Sequence, residues 1–358
     1  MKLRFCLSCL AGLLLWGCKG TTDDIPEETI SFHECKEVAY GDFLKLHEKS
    51  LNFVILDTSN DDFLFSYIDK IVLSEDYIYI LDWISRRILI FDHNGNPVRS
   101  LSKRGRGPGE YLQISDFDVD ENGSIWVIDG QSDILLKYSP TCEFIESQDL
   151  KYEIHALKCR NAKFLMGLAA WDTSHYKGAA VLSANEKLDI EGSLLSYPED
   201  FDENYSLPTS TFNVCDNGIL YHLPINDYVY LISDEHKITK KYHFDFGDRS
   251  VPSYIRSDIE KNIDELNHYM TLVSSIHIDE SYVIGSIWKG GLQNFAIDRK
   301  QDILYIQNDT KTSPIIGMSE NRIVWQISPN DADMLELLPE EIRQAVEKDE
   351  TVLMFLNL

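Results

Sequence analysis

The chain has 358 residues, 44% of them apolar, and carries 33 basic against 59 acidic side chains for a formal charge of −26. That length and apolar content suffice for a sizeable core. The acidic excess repels nucleic acid and anionic lipid headgroups, so neither is an electrostatic partner, and most of the charge reads as a solvated exterior.

Residues 1–17 read as an export signal, in which Lys2 and Arg4 precede an apolar run over 10–16 that is too short to span a bilayer. Gly17 and Cys18 follow at once and resemble a bacterial lipobox; Leu15 and Gly17 fit the usual pattern, and Trp16 is bulkier than the small residue customary there. On that reading Cys18 is the lipidated first residue of the mature chain, with enough acyl chains for stable anchoring. An ordinary cleaved signal peptide is the alternative. No later apolar stretch reaches the length of a membrane-spanning helix, so the lipid is the expected membrane attachment.

Residues 18–35 are polar and aromatic-poor, as suits a flexible tether, and 36–358 form the folded part. The acidic pairs Asp23-Asp24 and Glu27-Glu28 behind Cys18 are what surface-directed lipoproteins carry, and a plain acidic linker looks the same. The expected location is the outer membrane, facing the periplasm or the cell surface. Cys35, Cys142, Cys159 and Cys215 remain after processing, none in a CxxC pair, and burial as small apolar groups is expected over a disulfide framework.

From about residue 50 apolar alternation is broken by turn signals such as 92–96, 121–123 and 216–218, rich in Asp, Asn and Gly. The stretch Ile78 to Asp82, ending at Phe91, returns 47 residues later as Ile125 to Asp129, ending at Tyr138. A period of this length built from strands points to propeller blades. Six units follow, at about 68–101, 114–150, 156–195, 212–247, 275–308 and a short one around 322–327. The short unit is completed by 351–356 and 52–56, brought from the two chain ends, which closes the ring and removes exposed edges. Two amphipathic segments, 253–270 and 339–348, read as helices on the outside of the ring. The expected fold is all-β: a six-bladed β-propeller with four-stranded antiparallel blades and two short helical insertions.

The second unit, Phe117 to Asp129, resembles an NHL-type blade: an apolar strand, an Asp/Gly turn, an aliphatic strand ending in Asp, and a strand ending in an aromatic. With the glycine-rich run 104–111, the segment 54–58 and the end 350–356, the chain resembles the six-bladed β-propeller lipoproteins of Bacteroidetes. That resemblance implies architecture and location; it names no chemistry, since propellers host many unrelated functions.

In such a ring the loop after each second strand and the link into the next blade open on one face. This face gathers Asp82, Trp83 and Arg86, then Arg104 and Arg106, then Asp129, Trp171 and Trp288, the candidate ligand-binding set. Indoles beside guanidinium and carboxylate groups suit a glycan or a peptide. The structural alternative is that the tryptophans fill gaps between blades and the aspartates cap strand ends. The run 104–109 is not a phosphate loop, because no GK[ST] follows. Asp118, Asp120, Asn122 and Asp129 imitate an EF-hand calcium loop, but strands flank it and the last position is Asp, so it reads as hairpin spacing with calcium as the lesser alternative. Zinc and nucleophile motifs are absent, and no other cofactor is expected.

The leading expectation is a non-catalytic, lipid-anchored envelope protein binding a glycan, a peptide or a partner protein. The rival is a propeller enzyme of lyase, lactonase or glycosidase type, for which Asp82 and Asp129 are the first carboxyl pair to test.

Overall fold

Six β-sheets of the computed structural model, which describes residues 25–205, 211–307, 313–319 and 321–358, stand side by side around a channel. The expected signal peptide and Cys18 lie outside the described residues. The chain enters along the rim with β1 (Glu27–Ser31), β2 (Lys36–Ala39), α1 (Tyr40–Leu46) and β3 (Leu51–Ile55). Blade one is β4 (Lys70–Leu73), β5 (Tyr77–Asp82), β6 (Arg87–Asp92) and β7 (Pro97–Leu101). Blade two is β8 (Ile114–Val119), β9 (Ile125–Asp129), β10 (Ile134–Tyr138) and β11 (Phe144–Asp149). Blade three is β12 (Ile154–Arg160), β13 (Lys163–Leu168), β14 (Ala179–Asn185) and β15 (Ile190–Ser196).

Blade four is β16 (Phe212–Cys215), β17 (Gly218–His222), β18 (Tyr228–Ile232) and β19 (Ile238–Asp245); α2 (Ser253–Arg256) and α3 (Ile263–Leu266) follow it. Blade five is β20 (Thr271–Ile278), β21 (Tyr282–Trp288), β22 (Leu292–Asp298) and β23 (Ile303–Ile306). Blade six is β24 (Ile315–Ser319) and β25 (Arg322–Gln326), then, past α4 (Ala332–Leu337) and α5 (Glu340–Glu347), β26 (Val352–Asn357), with β3 as its outer strand.

The hairpins form for the reason the turn signals suggest. Asp92 Oδ1 accepts from the amides of Asn94 and Asn96, Asp120 Oδ1 from Asn122 and Ser124, and Asn185 Oδ1 from Lys187 and Asp189, so one side chain closes each turn. Gly95 takes φ +85° in the first of these, and a Cβ there would lie 2.0 Å from the Ile55 carbonyl oxygen.

Six apolar clusters hold the ring, one per blade junction. Val72, Leu81 and Ile90 of blade one meet Phe117, Val127 and Tyr138 of blade two, for example, and Ile78, Leu89 and Phe91 meet Val324, Leu353 and Phe355 where blade six returns to blade one. The ring is therefore closed by packing as well as by β26 pairing with β25 and β3.

The structure departs from the expectation at the rim. Part of the stretch read as tether is strand: β1 pairs in parallel with β19 and β2 with β23, giving blades four and five a fifth strand each. Glu27 pairs with Lys241 at 2.5 Å and Glu28 with Lys240 at 2.6 Å and with Arg299, so acidic residues that looked like linker are a docking code. The insertion 253–270 also differs. It is two short helices rather than one, because the chain turns at Ile259, whose amide donates to Asp202 at 2.8 Å. It packs over Ile225 and Trp288 on the loop face instead of outside the ring. The second segment, α5, packs on β26 and β3 as expected.

His222 at the end of β17 is fully buried, with Nε2 3.1 Å from the Val273 carbonyl oxygen. Burial lowers its pKa to about 4, with that hydrogen bond acting in the opposite sense. An unfolded imidazole takes its proton near pH 6.5 and the folded one only near 4, so stability falls as pH drops through that window and not above it. Two and a half units correspond to about 3 kcal/mol. Urea titrations at pH 7 and pH 4.5 are expected to show this loss in the wild type and most of it removed in His222→Gln; equal pH dependence in the two would contradict it.

Candidate site at the channel mouth

The two aspartates proposed from the repeat are structural ties. Asp82, 1% exposed, accepts from the amides of Ser66 (3.4 Å) and Ser85 (3.2 Å) and from the Ser85 hydroxyl (2.5 Å). Asp129, wholly buried, accepts from the amides of Leu112, Gln113 and Gln131 at 2.8, 3.2 and 3.0 Å. Asp172 repeats the device in blade three with the amides of Glu153 and Ser174, both at 3.1 Å. Each fastens the link that feeds an inner strand to the end of the second strand of the same blade. Their oxygens are engaged by amide donors and, at Asp82, by the Ser85 hydroxyl, as strand-end caps.

Arg104 and Arg106 are exposed on the glycine-rich link, whose form is set by its own bonds: Gly105 N–H to the Tyr111 carbonyl and Tyr111 N–H to that of Lys103, both 3.0 Å. Gly109 has φ +74°, and a Cβ there would meet the Phe144 ring at 2.4 Å, so this glycine lets the link lie on blade two. Arg86 sits at φ 56°, as does its repeat mate Asp133 at 52°, marking the tight turn after the second strand. Trp288 is half-buried, donates Nε1–H to Asn267 at 3.0 Å and packs under the helical insertion, away from the mouth. Among the described residues, Trp83 and Trp171 are the indoles that stand free, at 51% and 53% exposure.

Trp83 is at the edge of a cavity of about 580 Å³ at the loop-face end of the channel, lined also by Asp69, Lys70, Ser115, Asp116 and His155. Asp69 accepts from the Trp83 amide at 2.8 Å and so fixes where the indole leaves the chain. Lys70 Nζ lies 2.7 Å from Asp116 Oδ1, and the other oxygen of Asp116 accepts from the Leu157 amide at 2.7 Å. One rung deeper, Lys158 Nζ lies 2.9 Å from Asp118 Oδ1, whose second oxygen accepts from the Cys159 amide at 2.6 Å. Asp116 and Asp118 alternate on β8 and therefore share a face. They supply acceptors to the inner edge of β12, where no further strand can, and they hold two lysines against the channel.

The carboxylates are the more deeply covered partners. Side-chain exposure is 9% for Asp116 and nil for Asp118, against 18% and 16% for Lys70 and Lys158. The channel wall thus presents ammonium groups. Burial pushes the His155 imidazole below its usual pKa, with Asp116 partly offsetting this, so it is neutral at pH 7. His155 also borders a recess of about 50 Å³ with Trp171, Tyr197 and Tyr205.

Below the mouth the channel narrows to a waist of about 30 Å³ between Lys70, Lys158, Phe212, Val214 and Gly317. It then opens on the opposite face into a basin of about 1040 Å³. The inner strands of blades four, five and six touch one another, so the channel runs off-centre.

The positions that imitate a calcium loop do not converge. Asp120 accepts from two turn amides and, at 3.0 Å, from Trp126 Nε1; Asp118 and Asp129 bond as described above. Among the described residues no three His, Cys, Asp or Glu side chains are grouped to hold a metal.

Sequence reasoning about loops missed Lys70, Asp116, His155 and Lys158 and read Asp118 only as hairpin spacing; all five are on inner strands. A signal existed. Lys70 pairs with Leu81 and Asp116 with Ile128, the same place in the two blades, but 46 residues apart because the turn of blade two is one residue longer. Asp116 and Asp118 alternate with Phe117 and Val119, and in a closed ring the face they share on an inner strand is the channel.

The fold and the mouth define a six-bladed β-propeller with a charged central channel. The chain belongs to the family described as domain of unknown function DUF4934, whose model matches residues 42–355. The crystal structure of a protein described as exported, from Bacteroides fragilis, is similar over 93% of this chain and 99% of that one, with 17% identity and a TM-score of 0.72. A member of the DUF4221 family from Bacteroides vulgatus is similar over 86% of this chain and 95% of its own, with 13% identity and a TM-score of 0.53. These likenesses show the fold. No curated protein sequence matches the chain significantly.

Proposed function

We propose that this protein is an exported, envelope-attached binding protein that holds a glycan, a peptide or a segment of a partner at the loop-face mouth without transforming it. The observation that carries the reading is where exposed apolar surface collects. Of nine large apolar side chains exposed among the described residues, Leu64, Tyr67, Trp83 and Ile84 all belong to the loops of blade one beside the mouth. Exposed apolar surface gathered next to oriented charges is the usual mark of a recognition site. Trp83 offers a flat contact, and Lys70 and His155 offer polar contacts in the cavity.

The enzymatic alternative loses its first carboxyl pair, since Asp82 and Asp129 are bonded to backbone amides; its remaining foothold is His155 beside Asp116. Membrane attachment through Cys18 belongs to the same proposal, on the outer membrane. No described helix is long and apolar enough to cross a membrane. Six residues separate Cys18 from the first described position, seven Cα-to-Cα steps, so the leash spans at most about 25 Å. The propeller would then stay close to the bilayer, with the outer edge of blade four, where β1 docks, nearest the anchor.

The test is retention on glycan and peptide arrays. Wild-type protein is expected to retain at least one ligand class, and Trp83→Ala to weaken that retention tenfold or more with an unchanged melting temperature. Undiminished retention by the variant would refute the role of the mouth.

A further inference from the structure

We propose that the basin on the hairpin-turn face, opposite the mouth, is a second binding site, for a small ligand bearing an oxyanion, either a carboxylate or a phosphate. Charge in this basin is sorted by depth. Its cations, Arg99, Lys158, Arg160 and Arg322, are all half-buried and come from blades one, three and six. Its acids Glu75, Asp76 and Glu121 are exposed, and Glu121 already accepts from the Asn161 amide at 2.7 Å. The fourth acid, Asp120, is half-buried, but both its oxygens are occupied by turn amides and the Trp126 indole. In a chain of formal charge −26, a cavity whose four cations balance its four acids is a local relief from the negative surface, and those acids are either exposed or already bonded.

The donors are also held in place while keeping capacity. Arg99 Nη1 donates to the Pro140 carbonyl at 2.6 Å and its guanidinium lies 5.6 Å over the Tyr77 ring, which orients its remaining N–H groups. Among the described residues Arg160 engages Asp234 through Nε, at 2.7 Å, leaving its terminal amino groups for a planar oxyanion. Lys158 uses one of three ammonium protons on Asp118. Tyr77, half-buried and backed at 6.3 Å by the buried Tyr79 ring, adds aromatic contact on the same wall. At about 1040 Å³ the basin admits a ligand of sugar size or somewhat larger. The exposed acids and the overall negative field disfavour a long polyanion, so the ligand is compact.

This site is distinct from the mouth, and either can fail without the other. Isothermal titration at low ionic strength with glucuronate, glucose 6-phosphate and glucose tests it. Saturable binding of either anion, absent for glucose, is expected, and which anion binds identifies the oxyanion. The Arg99→Gln, Arg160→Gln double variant is expected to weaken that binding at least tenfold. Should losing the Arg160–Asp234 pair prevent folding, the Arg99→Gln, Arg322→Gln variant carries the same expectation. No saturable heat with either anion, equal binding of glucose, or wild-type affinity in a folded double variant would overturn the proposal.

Discussion

Deletion of residues 351–358 is expected to leave a chain with no cooperative unfolding transition. β26 lies between β25 and β3, and Val352, Leu353, Met354, Phe355 and Leu356 are all buried. At about 1.5–3 kcal/mol for each buried side chain, five of them amount to roughly 7–15 kcal/mol as an upper estimate. That equals the whole stability of a typical domain, about 5–15 kcal/mol. The deletion would also orphan β3, expose two sheet edges and remove Leu353 and Phe355 from the cluster joining blade six to blade one. Urea titration followed by far-ultraviolet circular dichroism measures this. A sigmoidal transition near the full-length midpoint would show that the ring does not depend on its C-terminal strand.

Asp118→Ala is expected to be the most damaging single substitution at the channel. It leaves the Lys158 ammonium half-buried without its partner and removes the acceptor from the Cys159 amide. Breaking a buried pair from one side costs about 3–5 kcal/mol, and the residual exposure of Lys158 places this case near the lower end. Replacing both partners, Asp118→Leu with Lys158→Met, removes the stranded charge. It is expected to recover the part due to the stranded charge, leaving about 1–3 kcal/mol for the amide still lacking an acceptor. Denaturation midpoints of the three proteins check this ordering. A single variant within 0.5 kcal/mol of wild type would mean that the pair does not brace the channel.

The fold was legible because a propeller writes its period into the chain. Ile78 to Phe91 and Ile125 to Tyr138 build the same two strands of their blades, and Asp92 and Ser139, 47 residues apart, close equivalent turns by accepting from the amides two and four residues on. The closure by both chain ends was legible too, since blade six lacks strands that only 351–356 and 52–56 offer. The rim strands β1 and β2 were not. They are short, and what holds them, Lys240, Lys241 and Arg299 for β1 and the strand 303–306 for β2, lies more than 200 residues away.

For the site, the structure sorts the residues that the sequence put on one face. Trp83 stands at a cavity on the expected face, but Asp82 and Asp129 recur because the fold needs them to fasten each link, and recurrence is what made them conspicuous. Lys70, Asp116 and His155 do not recur, and a one-residue difference in turn length hides their alignment. A side chain that differs from blade to blade breaks the period, and period was the signal being read.

On the function proposed above, ligand is held at the loop-face mouth. Hydrogen–deuterium exchange of the wild-type protein, with and without a ligand retained on the arrays, tests it most directly. Slowed exchange is predicted in the segments carrying Lys70, Trp83, Asp116 and His155. Protection confined to the helical insertion around Trp288, or to the hairpin turns of the opposite face, would contradict it.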